Sequence, residues 1–327
     1  MRKAIRKIAG SVLVTGGAGF IGSEFVRQGV LRGYHLVVVD CLSYAGDLKR
    51  IKEVAGDIEF HKIDISSKEK LETLFKREKF EGLVHFAAET HVDRSLKDNT
   101  PFIRTNVLGT QNLIDLSLKY ALKFFVHIST DEVYGQSLKG FFKETDPLRP
   151  RNPYAVTKTS ADLLVQAAIH TFKLPAKIIR PANNYGPWQY PEKLIPVVIS
   201  KSLNDQSVPV YGKGHQIREW LHVADCANGV FIVLEKGNVG EIYNIGSCFE
   251  RRNIETVKAI LKLLGKKENL IQFVPDRLGH DFRYSVDCTK ITKLGWRPQV
   301  SFVDGIASTV AWYQANRVWL EKKISHQ

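Results

Sequence analysis

A threonine followed by two acids, Thr130-Asp131-Glu132, precedes a Tyr154-Ala155-Val156-Thr157-Lys158 segment in this chain. Tyr154 and Lys158 are four apart, so on a helix they share a face. A lysine ammonium there can lower the phenol's pKa and leave a phenolate able to take the proton of an alcohol. The Thr130 hydroxyl can hydrogen-bond the same alcohol oxygen. Such a set suits oxidation of a sugar alcohol onto a nicotinamide ring. Asp131 and Glu132 suit a further step. Once carbon 4 of a hexose is a ketone, the carbon 5 proton is acidic and a carboxylate can remove it. A second, protonated carboxyl can then give its proton to the departing carbon 6 hydroxyl. Two adjacent acids in different surroundings can have pKa values pushed apart for these two tasks. An acidic turn can also be solvated and inert, but Thr130 before it and Tyr134-Gly135 behind it argue against that reading.

Both segments must be carried to one edge of a scaffold. Ser11–Thr15, Leu36–Asp40, Ile58–Ile63, Gly82–Phe86, Lys123–Ser129 and Ala176–Arg180 read as short apolar strands. Between them, Ile21–Arg32, Lys68–Lys79 and Pro101–Tyr120 read as helices. Another helix starts at Asn152-Pro153, a cap residue followed by proline, and runs to about Phe172. This alternation predicts an α/β fold, a doubly wound parallel sheet with helices on both faces. Thr130 then sits at the carboxyl edge of its strand, where such sheets bind ligands. After Pro181 the pattern loosens, with Pro, Gly and aromatic residues through Trp188–Pro191 and Pro209–Gly214. A helix at Val223–Glu235, a strand at Glu241–Ile245 and helices at Ile254–Leu264 and Val303–Asn316 follow. The expected division is a first domain over residues 1–180 and a smaller C-terminal α/β substrate lobe over 181–327. Some elements of the second are expected to pack back on the first.

The stretch Thr15-Gly16-Gly17-Ala18-Gly19-Phe20-Ile21-Gly22 leaves the first strand and opens the first helix. Gly16, Gly19 and Gly22 permit a tight turn and close backbone approach, so a pyrophosphate can rest on the helix N-terminus, as in a Rossmann fold. Asp40 ends the second strand roughly 20 residues on, where an acid binds a ribose 2′-hydroxyl. A carboxylate there repels a 2′-phosphate, and no Arg immediately follows it, so the expected cofactor is NAD. Asp64-Ile65 closes the third strand and can meet the adenine.

Composition sets the outer limits. At 327 residues, with 44% hydrophobic and 25% charged residues, the chain can bury a sizeable core and is ordinary for a soluble protein. No apolar run reaches the roughly 18 residues needed to span a bilayer. The basic start, Met1 to Lys7, leads straight into the glycine fingerprint and is not read as a signal peptide. The net charge of +13 comes from scattered lysines, with no basic block or nucleic-acid module, so no nucleic-acid partner is expected. Cys41, Cys226, Cys248 and Cys288 have no CxxC spacing, which predicts reduced thiols and a cytoplasmic protein. His85, His91, His222 and His280 lack metal-ligand spacing, and no metal is expected.

With these residues in hand, the chain resembles the extended short-chain dehydrogenase/reductases and, within them, the dTDP-glucose 4,6-dehydratases. The resemblance covers nearly the whole chain. It rests on TGGAGFIGS at Thr15–Ser23, FAAETHVDRS at Phe86–Ser95, STDEVYG at Ser129–Gly135, RPANNYGPWQYPEKLIP at Arg180–Pro196, REWLHVAD at Arg218–Asp225 and DRLGHDFRY at Asp276–Tyr284. The TDE and GHD motifs are specific, whereas the glycine motif and YxxxK are shared by the superfamily. The resemblance implies Tyr154 as the base taking the alcohol proton, supported by Lys158 and Thr130. It implies Asp131 as the acid protonating the leaving hydroxyl and Glu132 as the base at carbon 5. NAD contacts would come from Phe20, Ile21, Asp40, Cys41, Leu42, Ser43, Asp64, Ile65, Ala87, Ala88, Glu89, Thr105 and Asn184. The nucleotide sugar would be held by Thr90, Asn183, Lys193, Leu194, Pro209, Val210, Tyr211, Arg218, Asn253, Asp276, Arg277, Gly279 and His280. Arg218 and Arg277 suit a diphosphate, because a guanidinium fork binds phosphate oxygens in pairs. A homodimer joined through the Pro101–Tyr120 and Asn152–Phe172 helices is also implied.

Thr90, Leu278, Phe249 and Trp188 depart from the family pattern, and the last three are expected near the nucleotide or sugar pocket. The residues leave other reactions open. A nucleotide-sugar 4-epimerase or decarboxylase on the same scaffold shares the fingerprint and YxxxK but needs no paired acids. A UDP-glucose 4,6-dehydratase would use the same set on another nucleotide. A non-catalytic NAD, nucleotide-sugar or nucleic-acid binder would need none of these groups together.

Overall fold

Runs of aliphatic and β-branched residues build a seven-stranded parallel sheet in the computed structural model, which describes residues 10–325. The basic stretch Met1 to Lys7 lies outside them. The first six strands are β1 (Ser11–Thr15), β2 (Leu36–Asp40), β3 (Ile58–Lys62), β4 (Phe80–His85), β5 (Phe124–Ile128) and β6 (Ala176–Pro181). β2 and β5 are buried at every position, as expected for strands covered on both faces. The covering helices are α1 (Phe20–Leu31), α2 (Lys68–Arg77), α3 (Val92–Lys97), α4 (Thr100–Phe102), α5 (Thr110–Lys119) and α6 (Pro153–Phe172). One apolar core lies on each face of the sheet, with Val14, Val38 and Val126 in one and Leu13, Val37 and Phe125 in the other.

The chain runs outward from β1 to β3, then returns to lay β4, β5 and β6 on the other side of β1. That reversal opens a crevice at the carboxyl ends of β1 and β4, the usual ligand position in such sheets.

The single helix expected over Pro101–Tyr120 is interrupted. A π-helical stretch, Ile103–Gly109, joins α4 to α5. It aims buried Asn106 at the site-forming loops: its amide donates to Glu89 O (3.0 Å) and Thr157 Oγ1 (2.9 Å) and accepts from Glu89 N (2.9 Å). Such π segments recur at functional positions.

The second half holds β7 (Asn183–Tyr185), α7 (Leu194–Leu203), β8 (Val208–Tyr211), β9 (Ile217–His222), α8 (Val223–Lys236), β10 (Ile242–Ile245), β11 (Glu250–Arg252), α9 (Asn253–Leu263), β12 (Ile271–Val274), α10 (Thr289–Lys293), α11 (Phe302–Ala315) and α12 (Arg317–Ile324). β11, β9 and β7 form a small sheet, and β12 pairs with β8. These elements and α7, α9, α11 and α12 enclose a third core around Ile199, Val257 and Tyr313. Three elements go elsewhere, one of them α10, which packs on β10 and puts Ile291 in the core around Val14. β10 adds to the edge of the main sheet beside β6, and α8 packs on α1, stacking Phe231 on Phe25 at 4.1 Å between ring centroids.

Candidate active site

The glycine fingerprint turns so tightly that side chains cannot enter it. Gly16 has φ +71°, and a Cβ there would meet Ala87 N at 2.5 Å. A Cβ on Gly22 would lie 2.2 Å from Gly16 O, so the loop rests directly on the first turn of α1. Asp40, at the end of β2, accepts from Ala18 N (3.0 Å) and Leu42 N (2.8 Å). Its carboxylate therefore braces the glycine loop as well as facing the crevice. Burial pushes its pKa up, while those two N–H bonds pull it down.

Two connected hollows follow this loop. One, of about 80 Å³, is bordered by Asp40, Cys41, Ser43, Asp64, Ile65, Ala87, Glu89 and Thr105. The other, of about 250 Å³, is bordered by Phe20, Ile21, Gly22, Thr90, Tyr154, Lys158 and Asn184. Both are also lined by Gly16, Gly19 and Ala88. Leu42 borders neither; its backbone at φ +54° instead supplies the N–H that holds Asp40.

Where β5 ends, Thr130 caps a short turn, Asp131–Tyr134, accepting from Glu132 N at 3.3 Å. Its hydroxyl donates to Asp131 Oδ1 (3.3 Å), while Asp131 Oδ2 is buried without a partner. Burial holds the Asp131 carboxyl well above the ordinary carboxylate range, and the charges of Glu132 and Glu219 push it further. Glu132 is gripped by Asn152 Nδ2 (3.1 Å) and approached by the Tyr284 hydroxyl (3.5 Å). The two acids thus occupy different surroundings, one buried and proton-retaining, one hydrogen-bonded at a cavity surface.

Asn152 also caps α6, accepting from Ala155 N at 2.8 Å, and Pro153 occupies the first turn. That start fixes Tyr154, whose N–H donates to Ser95 Oγ at 3.2 Å. One turn on, Lys158 is buried and donates to Ile128 O at 2.7 Å. Burial lowers the Lys158 pKa to about 8. The expected lowering of the Tyr154 phenol by Lys158 is not what this structure shows. Burial, with the charge of Glu132 next, raises the Tyr154 pKa, and the Thr130 hydroxyl is what opposes it. The physical reason is direction: the Lys158 ammonium is aimed at the main chain of β5.

A buried polar chain backs this lysine. Asp162, one turn further along α6, pairs with Arg180 at 2.8 Å, and Arg180 donates to the Tyr134 hydroxyl at 2.8 Å. Asp162 lies outside every motif of the sequence, and Tyr134 and Arg180 stand in theirs with no role marked by spacing.

The substrate-side cavity, of about 230 Å³, is lined by Asn183, Lys193, Leu194, Pro209, Val210, Tyr211, Arg218, Asn253, Arg277, Gly279 and His280. Arg218 lies over the Tyr284 ring at 4.5 Å and donates to Asp281 O at 2.9 Å. Arg277 lies over Tyr211 at 5.0 Å and pairs with Asp93 at 3.5 Å. Lys193 donates to Thr90 O at 2.9 Å. Asp276 does not line the cavity; it stands behind, accepting from Gln216 Nε2 (2.7 Å) and pairing with His280 (2.5 Å). Burial lowers the His280 pKa to about 4.

None of the three departures expected near this pocket lines it, although Leu278 is exposed next to Gly279 and Trp188 precedes Gln189, and those two neighbours do. Phe249 stacks on Phe302 at 5.2 Å, and Trp188 packs on Trp312 and Trp319. Their apolar rings find partners in the C-terminal helices. Asn152, Gln189, Glu192, Trp220, Asp281 and Tyr284 line the cavity without having been singled out for it. Asn152 was visible only as a helix cap, and Asp281 and Tyr284 only as the tail of the DRLGHDFRY motif.

Glu132, Asn183, Asn184, Gln189, Glu192 and Lys193 border both large cavities. Thr130, Asp131, Tyr154 and Lys158 border only the one on the fingerprint side. Glu132 therefore stands at the junction of the two chambers.

Comparison with known proteins agrees with this arrangement. The model of the GDP-mannose 4,6 dehydratase family matches residues 13–309. A dTDP-glucose 4,6-dehydratase of Streptomyces niveus is 46% identical, the match covering 95% of this chain and 94% of the relative. The crystal structure of DesIV, a dTDP-glucose 4,6-dehydratase from Streptomyces venezuelae with NAD bound, superposes with a TM-score of 0.93 at 43% identity, covering 96% of this chain and 99% of that one. A UDP-glucose 4-epimerase of Thermotoga maritima, with UDP-glucose, gives a TM-score of 0.88 at 30% identity over 94% of this chain and 99% of its own.

Proposed function

Since the chain belongs to the dTDP-glucose 4,6-dehydratase family, we propose that it converts dTDP-glucose, or a closely related nucleotide-glucose, to the 4-keto-6-deoxy sugar. The observation that carries this reading is Glu132 at the junction of the two chambers, with buried, proton-retaining Asp131 beside it.

The closed glycine loop, the braced Asp40 and the hollow beyond them suit NAD, which when bound takes a hydride from carbon 4 and returns it to carbon 6. Residues 1–180 carry that cradle and 181–327 most of the nucleotide-sugar side. Thr130 and Tyr154 hold the carbon 4 oxygen, and Tyr154 takes its proton. Lys158, held on Ile128 O, borders the same chamber and is placed to hold the cofactor's ribose there. Glu132 removes the carbon 5 proton, and Asp131 delivers one to the carbon 6 hydroxyl as it leaves as water. Arg218 and Arg277 bind the diphosphate.

The test is incubation with dTDP-, UDP-, CDP- and GDP-glucose, followed by mass spectrometry. Loss of one water from the dTDP sugar is expected; inversion at carbon 4 without water loss would replace this reading with that of an epimerase. Glu132→Gln should lower elimination by about a hundredfold or more while leaving NAD bound.

The same reading includes a homodimer in the cytoplasm. Ile103, Leu108, Val156, Leu163 and Phe172 are exposed on the helical run ending in α5 and on α6, and they support a second copy as the partner. Among the described residues no helix is long and apolar enough to cross a membrane.

A further inference from the structure

Three segments far apart in the chain bring Glu219, Cys248 and Cys288 together behind the wall that carries Arg218 and Tyr284. Glu219, on β9, is fully buried. Cys248 is exposed in the loop after β10, its backbone in the left-handed region at φ +57°. Cys288 is buried just before α10. A Glu219 carboxylate oxygen and the two sulfurs all lie within 4.8 Å of one another. The Glu219 carboxylate also accepts from Cys248 N (2.7 Å) and Val286 N (3.3 Å), so one side chain ties together both backbones that carry the sulfurs. Spacing in the sequence could not show this, because the two cysteines have no motif between them.

We propose that Cys248 and Cys288 form a redox-active dithiol that a hydroperoxide closes to a disulfide, with Glu219 as the base that accepts the Cys288 proton. The inference is independent of the dehydratase reading, since none of the three residues borders the cofactor or substrate cavities.

Reactivity is distributed to match. The Cys288 thiol, directed at the neighbouring sulfur, holds the Cys248 pKa down at about 7. A thiolate of that kind at the surface is the reactive form of cysteine. Cys288 keeps its proton, its pKa pushed up first by that same interaction and then by burial. Burial raises the Glu219 pKa to about 7, which makes its carboxylate a competent base near neutrality. A zinc ion is the rival occupant. Zinc takes four ligands, and this cluster, the one the described residues offer, holds three. Both Glu219 oxygens there already accept backbone N–H groups.

The step balances. The Cys248 thiolate attacks the hydroperoxide; the O–O bond breaks, Cys248 becomes a sulfenic acid, and the alkoxide takes a solvent proton to leave as the alcohol. Cys288 passes its proton to Glu219 and attacks the Cys248 sulfur. The S–S bond forms as the S–O bond breaks, and hydroxide takes the Glu219 proton to leave as water. Two thiols are oxidised by two electrons, and one hydroperoxide is reduced.

The test treats the full-length protein with tert-butyl hydroperoxide and follows intact mass and peptide maps. Loss of two hydrogens is expected, with the Cys248 and Cys288 peptides joined and dithiothreitol restoring both thiols. Cys288→Ser should trap the intermediate, giving a dimedone adduct on Cys248 with no disulfide. Glu219→Gln should form the disulfide at least about tenfold more slowly while the Cys248 sulfenic acid appears at the wild-type rate. Failure of the two peptides to join in the wild type would overturn the proposal, even if Cys248 alone is oxidised. So would stoichiometric zinc that protects both thiols from alkylation.

Discussion

Asp131 is where burial and function meet most directly. Its raised pKa means that the folded chain holds this proton to a higher pH than the unfolded chain does. Stability from this group is fully present below the ordinary carboxylate range and is lost as pH rises through the folded value. Asp131→Asn removes that dependence. Its thermal midpoint should fall less between about pH 4 and 8 than that of the wild type and lie above it at the upper end. Dehydration should be nearly abolished in the same variant. A steeper loss of midpoint in Asp131→Asn would show that the carboxyl is ionised in the folded protein. The types and adjacency of Asp131 and Glu132 were legible from sequence, as was their proximity to Tyr154. Their separation into buried and gripped acids was not. It depends on Asn152, Tyr284 and Glu219, which arrive from other segments.

At the scale of elements, α6 couples helix start to chemistry through Asn152. One oxygen caps the helix at Ala155 N, and the amide nitrogen holds Glu132. Asn152→Ala should cost about 1 kcal/mol of stability through the lost cap and lower kcat by about tenfold or more through the freed Glu132. Asn152→Asp separates the two effects: urea unfolding should stay near wild type while kcat falls. Equal activity in Asn152→Asp and wild type would remove Asn152 from any part in positioning Glu132. The cap and proline made this start readable, and β1 and β2 were equally plain because their apolar runs are bounded by turn residues. The π stretch Ile103–Gly109 left no mark, since its apolar spacing matches that of an ordinary helix. β7 and β11 span three residues each and β8 four, with Pro209 in β8, too little for an alternating pattern to register.

Over the whole molecule, exposed apolar side chains are scattered, Leu31, Phe273 and Val318 among them, but Ile103, Leu108, Val156, Leu163 and Phe172 share the helical run ending in α5 and the helix α6. Leu163 is 54% exposed and Ile103 51%, and a patch of such side chains, unlike single ones, is the kind of surface a second copy can cover. Leu163→Glu should shift the protein from dimer to monomer in light scattering while leaving its far-ultraviolet circular dichroism unchanged. A wild type already monomeric at micromolar concentration would rule out that surface as a stable interface.

The placement of β10 and α8 bears on how the molecule can be taken apart. Chain from beyond residue 220 completes the edge of the first sheet and supplies Phe231 to the stack with Phe25. A fragment ending at residue 180 would leave β6 as an open edge and α1 without its cover, and should aggregate when expressed alone. Adding residues 223–245 as a second polypeptide should restore solubility. Chimeras that exchange substrate specificity between relatives therefore have their workable seams on either side of that inserted stretch, so the host must keep it while the donor supplies what flanks it.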